Sequence, residues 1–242
     1  MTWLLGNYAV LFHVRLQKKG TATLFATGMN GNKPEQYTYF MKKYRDHYFL
    51  RAKQENYPAR SVYKLKEIEK KFTIFKHGQK VLDLGAAPGS WSLGAAEMVG
   101  PQGFVLGADI KDTDTSFPPN VLFCVEDVFE RSAAFEALLQ ERGPFDVVIS
   151  DMAPNTTGHK GTDQARSANL CEEALLVAKA HLVPGGSFVV KMFMGPDTET
   201  FVASVRRSFA SVKSFKPKSS RSESKEIFYI GLGFAPLKGV SL

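Results

Sequence analysis

Three charged residues stand where apolar runs of this 242-residue chain begin or end, and a fourth projects from a helical stripe. Asp151 follows Asp146-Val-Val-Ile-Ser150, and Lys191 follows Phe188-Val-Val190. Glu226 opens the run Ile227 to Leu232, and Lys64 projects beside the apolar positions Leu65, Ile68 and Phe72. A lysine that finishes an apolar strand is costly unless it is paired or deprotonated. The bland alternative is an edge lysine whose stem packs while its head reaches water. Two lysines and two acids that converge on one crevice can move a proton and stabilise the charge left behind.

The segment Asp83-Leu-Gly85-Ala-Ala-Pro88-Gly89-Ser-Trp91-Ser92 adds a second chemistry. Its glycines fall between a short apolar run and a helix start. Gly85 permits a tight turn, and Gly89 permits a ligand to approach the main chain. The spacing is not G-x-G-x-x-G, so the dinucleotide fingerprint is absent. Asp109 ends the next apolar run, where an acid accepts hydrogen bonds from ribose hydroxyls. Asp127, after the third run, is placed to accept one from an adenine amino group. The expected ligand bears adenosine but no pyrophosphate, and S-adenosylmethionine is the common one. A purely structural turn is the competing reading, and Trp91 suits a core as well as a cofactor contact.

These residues need elements to hold them. Apolar runs at 80–84, 104–109, 121–124, 146–150, 187–191, 212–215 and 227–232 predict seven strands. Helical stripes fall between them: about 60–72, a helix from Gly89 or Ser90, one showing Phe135, Leu138 and Leu139, and one showing Leu170, Ala174, Val177 and Ala178. That last helix is expected to end before Pro184-Gly185-Gly186, and a further helix carries Val202, Val205 and Phe209. Strands alternating with helices make an α/β fold, a mostly parallel seven-stranded sheet with helices on both faces and sites at the strand C-termini. The last two strands, joined by a basic loop and no helix, predict an antiparallel C-terminal edge strand.

Charge is distributed unevenly. The chain has 31 Lys and Arg against 24 Asp and Glu, a net +7. Residues 1–80 hold 16 cations and 5 anions, residues 81–242 hold 15 and 19, and seven of those 15 lie between Arg206 and Lys225. Two basic segments thus bracket a mildly acidic centre. They suit a polyanion such as RNA, with solvated helix faces as the structural alternative. Arg51, Lys53, Arg60 and Lys66 on one side, and Lys216, Lys218 and Arg221 on the other, are the candidates to grip phosphates. The first 34 residues have no acid before Glu35 and no clear hydrophobic period, and read as a flexible extension to a single domain over 35–242. The cytoplasm is expected, with the mitochondrion as the alternative if this basic, acid-free leader is a targeting peptide. Two cysteines make no disulfide framework, the five histidines show no metal-ligand spacing, and no apolar run is long enough for a membrane helix.

Arg60-Ser-Val-Tyr-Lys64-Leu65, the loop 83–92, Ser150-Asp-Met-Ala-Pro-Asn155, Pro184 to Lys191 and Ser222 to Tyr229 together resemble the FtsJ/RrmJ family of ribosomal RNA 2′-O-methyltransferases, in collinear order from about Tyr44 to Gly233. The resemblance implies a Rossmann-like methyltransferase domain. It also implies a catalytic tetrad on Lys64, Asp151, Lys191 and Glu226, with Lys191 as candidate base. S-adenosylmethionine contacts are implied at Gly89, Trp91, Asp109, Asp127 and Asp151, with Asp83, Gly85 and Pro88 in the same loop. The implied substrate is a uridine ribose in 23S rRNA of the large subunit; a monomer without metal or membrane is expected beside it. Glu126 stands where the family often has glycine, and residues 1–34 have no counterpart. Other RNA targets (transfer RNA or a messenger cap) and a non-catalytic ribosome-assembly role are the alternatives.

Overall fold

The computed structural model describes residues 2–5, 8–17, 21–28, 35–39, 47–221 and 224–236. The chain divides into two compact units, Met1–Asp46 and His47–Leu242, whereas the sequence reading set its boundary at 34/35. In the first unit four strands, β1 (Thr2–Leu5), β2 (Tyr8–Gln17), β3 (Thr21–Gly28) and β4 (Glu35–Tyr39), form an antiparallel sheet in sequence order. The sequence reading named no strand there. Tyr44, which opens the collinear span above, and Ser222, which opens its last motif segment, lie outside the described residues.

The second unit opens with α1 (His47–Gln54) and α2 (Val62–Phe72) and then alternates strand with helix, except that two strands follow one another directly at 104–125 and at 209–234. Its elements are β5 (Lys80–Leu84), α3 (Ser90–Val99), β6 (Phe104–Asp109), β7 (Val121–Val125), α4 (Ala133–Arg142), β8 (Phe145–Ser150), α5 (Lys160–His181), β9 (Leu182–Phe193), α6 (Thr198–Ser208), β10 (Phe209–Phe215) and β11 (Glu226–Phe234). The sheet order is β10-β11-β9-β8-β5-β6-β7, the expected seven-stranded, mostly parallel sheet. β11 pairs antiparallel with both β9 and β10, so it is the one reversed strand of the seven. It lies one place in from the edge, in the slot left when α6 carries the chain past it.

The core follows from the period of two along each strand. Leu82, Leu84, Leu106, Val148 and Val190 face one layer with Phe135 of α4, Ala174 of α5 and Val205 of α6. Val81, Val105, Val147, Ile149 and Val189 face the other, with Leu65 of α2 and Ala95 of α3. Central strands are therefore apolar on both faces, as helices packed on both sides require. The Pro184-Gly-Gly186 stretch does not separate α5 from the strand. β9 starts at Leu182, and the pairing with β8 shifts register between Phe145 and Val147, so the turn residues are absorbed as an irregularity. Strand order reverses between β5 and β8, which opens a crevice at their carboxyl ends. Among the described residues no helix is long and apolar enough to cross a membrane.

Candidate active site

The floor of the crevice is the turn after β5. Gly85 has φ +80°, and a Cβ there would lie 2.4 Å from Met152 Cγ and 3.1 Å from the Met152 backbone. Only glycine lets the β5 and β8 ends approach this closely. The amides of Gly85 and Ala86 both donate to the Ala108 carbonyl, at 2.8 and 3.1 Å. Asp109 ends β6 and is fixed by two amides, Ala87 N to Oδ2 at 3.0 Å and Lys111 N to Oδ1 at 2.9 Å. Its remaining lone pairs face a cavity of about 350 Å³ that Gly85, Asp127 and Asp151 also line. Asp127 is held by Phe129 N at 2.9 Å. Ile110, Phe129, Met152 and Leu170 supply apolar walls. These aspartates and apolar walls fit an adenosyl compound that carries positive charge: Asp109 suits ribose hydroxyls, Asp127 an amino group, and Asp151 the cationic end.

Other loop residues take different places. Asp83 is completely buried and receives Ser92 Oγ at 2.7 Å, while its Oδ1 has no partner. Burial, reinforced by the charges of Asp151 and Asp109 and opposed by the Ser92 bond, pushes its carboxyl up to about 7. Pro88 is exposed, and its carbonyl accepts from Thr113 and Thr115 hydroxyls. The group that approaches Gly89 is the Phe117 ring, 2.8 Å from where a Cβ would stand. Trp91 is 3% exposed, donates Nε1 to the Ser61 carbonyl at 2.9 Å and stacks on Phe228 with centroids 5.7 Å apart. None of these four lines the cavity. Glu126 lines it, and its carboxylate also receives Ser132 N and Oγ, both at 2.8 Å. Ser132 in turn caps α4 by accepting Phe135 N, so the departure from glycine has a local structural use.

The four charged residues meet as two ion pairs. Lys191 Nζ lies 2.8 Å from Asp151 Oδ1, with side chains 7% and 15% exposed. Nζ directs a hydrogen bond to the Asp151 carbonyl, and Oδ1, although in ionic contact, is off the direction of an aligned bond. Lys64 Nζ lies 2.6 Å from Glu226 Oε1, and Ser220 Oγ donates to the same oxygen at 2.7 Å. The ladder brings the pairs together. Glu226 opposes Phe193 and Phe228 opposes Lys191, so Glu226 and Lys191 are diagonal neighbours on one face of the sheet. Burial acts to raise the Glu226 carboxyl, but Lys64, the Ser220 hydroxyl and the Lys191 charge outweigh it and hold it below its ordinary value. Beneath them Phe228 supports the Lys64 ammonium at 5.7 Å from its ring centre. Cys171 of α5, a thiol pushed up to about 12 by burial, donates to the Lys191 carbonyl at 3.1 Å and braces β9 from the opposite layer.

The candidate phosphate contacts divide. Arg51 pairs with Glu55, and Lys66 reaches Glu55 and Glu97 at 3.4 and 3.8 Å. Arg60 donates to the Ser219 carbonyl and lies over the Tyr48 ring. Lys53, Lys216, Lys218 and Arg221 are exposed. Glu67 of α2 accepts the amides of Lys218 at 2.6 Å and Ser219 at 2.9 Å, which ties the basic loop to the helix that carries Lys64. Sequence reasoning missed the cavity walls Ile110 and Phe129, although each follows a strand-terminal acid by one or two residues.

A family model described as FtsJ-like methyltransferase matches residues 57–234. The ribosomal RNA large subunit methyltransferase E of Oleidesulfovibrio alaskensis is 76% identical over 197 residues, covering 81% of this chain and 95% of that protein. The protein of the same name from Nitratidesulfovibrio vulgaris (strain DP4) is 71% identical over 194 residues, covering 80% and 95%. A crystal structure described as a ribosomal RNA methyltransferase from Plasmodium falciparum matches with a TM-score of 0.63 at 27% identity, over 74% of this chain and 98% of that one. With a matched span that runs from just before α2 to the end of β11 and contains both ion pairs, the chain belongs to the FtsJ-like methyltransferase family.

Proposed function

We propose that this enzyme methylates the 2′-hydroxyl of a uridine ribose in the 23S rRNA of the large ribosomal subunit, as a cytoplasmic monomer. The observation that carries the reading is the pair of lysine–carboxylate contacts on one sheet face, beside a cavity that Asp109, Asp127 and Asp151 line. The names of its relatives supply the large-subunit RNA, and the family resemblance supplies the uridine. S-adenosylmethionine, when bound, supplies a methyl group already activated by a positively charged sulfur.

The chain's residues would do the rest. Asp109 and Asp127 hold the adenosine part, and Asp151 closes the cavity on the side of Lys191. Lys191 Nζ hydrogen-bonds to the Asp151 carbonyl and keeps ionic contact with its Oδ1, which leaves a tetrahedral position to face the ribose oxygen. A neutral amine there takes the hydroxyl proton, and an ammonium there stabilises the oxygen as its charge grows. Lys64 and Glu226 position the sugar and keep Lys191 in a balanced field. Alignment of oxygen, methyl and sulfur supplies the larger share, on the order of 7–11 kcal/mol in favourable intramolecular reactions. Proton transfer adds a factor of roughly 10²–10⁴. The first 34 residues stand outside the catalytic unit in this reading.

The test is to incubate the protein and a labelled methyl donor with intact large subunits, naked large-subunit rRNA or transfer RNA, and then map the modified ribose. Label on one uridine ribose of the large subunit is expected. Label on transfer RNA alone, or none on any RNA, would overturn the proposal.

A further inference from the structure

A second cavity, of about 510 Å³, shares Glu226 with the tetrad and no lining residue with the first cavity. Lys160 at the start of α5, and Lys216 and Lys225 on the segment joining β10 to β11, bring three ammonium groups to it. Met194 and Ile227 give it apolar surface, and Met194 is 51% exposed. The wall is built rather than accidental. Gln164 of α5 donates to the Met194 carbonyl, and a Cβ on Gly195 would lie 2.9 Å from Gln164 Cβ, so α5 and the end of β9 are in close contact. Lys216 Nζ donates to the Ser224 carbonyl at 2.7 Å, which fixes its stem and leaves further N–H donors for a ligand. Among the described residues neither Lys160 nor Lys225 is paired with an acid. Glu226 is neutralised by Lys64, and nearby Asp163 is occupied by the Thr157 amide and hydroxyl and the Gly158 amide. The cavity is thus a net-positive pocket with an apolar floor, one wall away from the proposed ribose oxygen.

A phosphate beside a flat apolar group is the chemistry that this combination recognises. We propose that the cavity seats the nucleotide adjoining the methylated ribose, with its phosphate on Lys160, Lys216 and Lys225 and its base or sugar against Met194 and Ile227. The inference rests on the ribose-methylation reading above, because the tetrad fixes where the ribose lies. Phosphate contacts set register without reading sequence. Here they would set which 2′-hydroxyl of the strand reaches Lys191.

The experiment compares Lys160→Ala/Lys225→Ala with a charge-matched control, Lys76→Ala/Lys179→Ala. Both control lysines are exposed and lie at the opposite, amino-terminal edge of the parallel strands. Binding of a fluorescently labelled single-stranded oligoribonucleotide is measured across salt, and methyl transfer to large-subunit rRNA is measured alongside. The cavity variant is expected to bind about tenfold or more weakly, and its slope of log affinity against log salt to fall by about 1.4, at about 0.7 per phosphate contact on a single strand. Its KM for RNA rises by more than kcat falls, and the control stays within about twofold of wild type. Equal losses in the two variants, or no loss in either, with wild-type transfer intact, overturn the cavity proposal. Failure of the parent reading is a different result: wild-type protein that binds the oligoribonucleotide and methylates no RNA.

Discussion

Replacing Lys64 by methionine asks whether its pair with Glu226 serves the chemistry or the fold. The two groups lie 2.6 Å apart, with only 13% and 9% of their side chains exposed. In Lys64→Met the Glu226 carboxylate stays buried with the Ser220 hydroxyl and the field of Lys191 as its remaining support. Removing one partner of a buried pair costs about 3–5 kcal/mol. Because that support persists, the lower end is expected, about 3 kcal/mol, or a Tm lower by about 6–12 °C for a unit of this size. The double variant Lys64→Met/Glu226→Leu removes both charges and leaves apolar volume against Phe228. Replacing a buried pair by apolar groups is often neutral, or stabilising by about 1–4 kcal/mol, so the double variant recovers wild-type stability or exceeds it. Methyl transfer stays lost in both. Denaturant unfolding of the two single variants and the double closes the cycle, with transfer rates measured in parallel. A double variant as unstable as Lys64→Met, or one that methylates RNA at the wild-type rate, refutes the reasoning.

Lys191→Ala abolishes methyl transfer while calorimetry still detects cofactor binding within a few-fold of wild type; an unchanged single-turnover rate contradicts the assignment. Asp151→Ala weakens both, because Asp151 lines the cofactor cavity and also anchors Lys191. Asp83 sits at about 7 in the folded protein against an ordinary 3.8, so the folded state keeps a proton that the unfolded chain has released. Stability therefore falls as pH rises from about 4 to 7, by up to about 4 kcal/mol from this group, and Asp83→Asn flattens that slope in urea midpoints taken across pH. Gly85→Ala forces an L-residue into φ +80° against Met152. It costs upwards of about 1–2 kcal/mol and weakens cofactor binding, which thermal unfolding and calorimetry on the same variant check together.

Much of the sheet was legible because each central strand is a short apolar run closed by a turn residue or an acid. Lys80–Leu84 and Phe104–Asp109 fall where the residues place them. The order of strands is a different kind of fact. Nothing local in Ile227–Leu232 says that it slips between β9 and β10 instead of closing the edge. That place depends on where α6 sets β10 down. The start of β9 was hidden by Pro184-Gly-Gly186, which reads as punctuation in sequence but is accommodated in the sheet by a register shift. In the first unit, Ala9-Val-Leu-Phe12 is a continuous apolar run without alternation, so the period-two signal that marks a half-buried strand was missing where β2 lies.

The site divides along the same line. Acids at the carboxyl ends of parallel strands announce themselves, and Asp109, Asp127 and Asp151 line one cavity as their positions implied. That the two lysine–carboxylate pairs converge was not legible from the residues alone, because it follows from the register that sets Glu226 against Phe193. The basic residues show why charge counting misleads most at a binding surface. Arg51 has Glu55 one helical turn away, a pairing the spacing itself announces. Lys66 is partly spent on Glu97 and Arg60 on the Ser219 carbonyl, partners 31 and 159 residues distant. A cation neutralised within the fold releases no counterions to a phosphate, so net charge sets an upper limit on RNA affinity rather than its value. Lys160 and Lys225 carry more weight than their number suggests, since the fold leaves both exposed and without acidic partners among the described residues, in the wall that also holds Glu226.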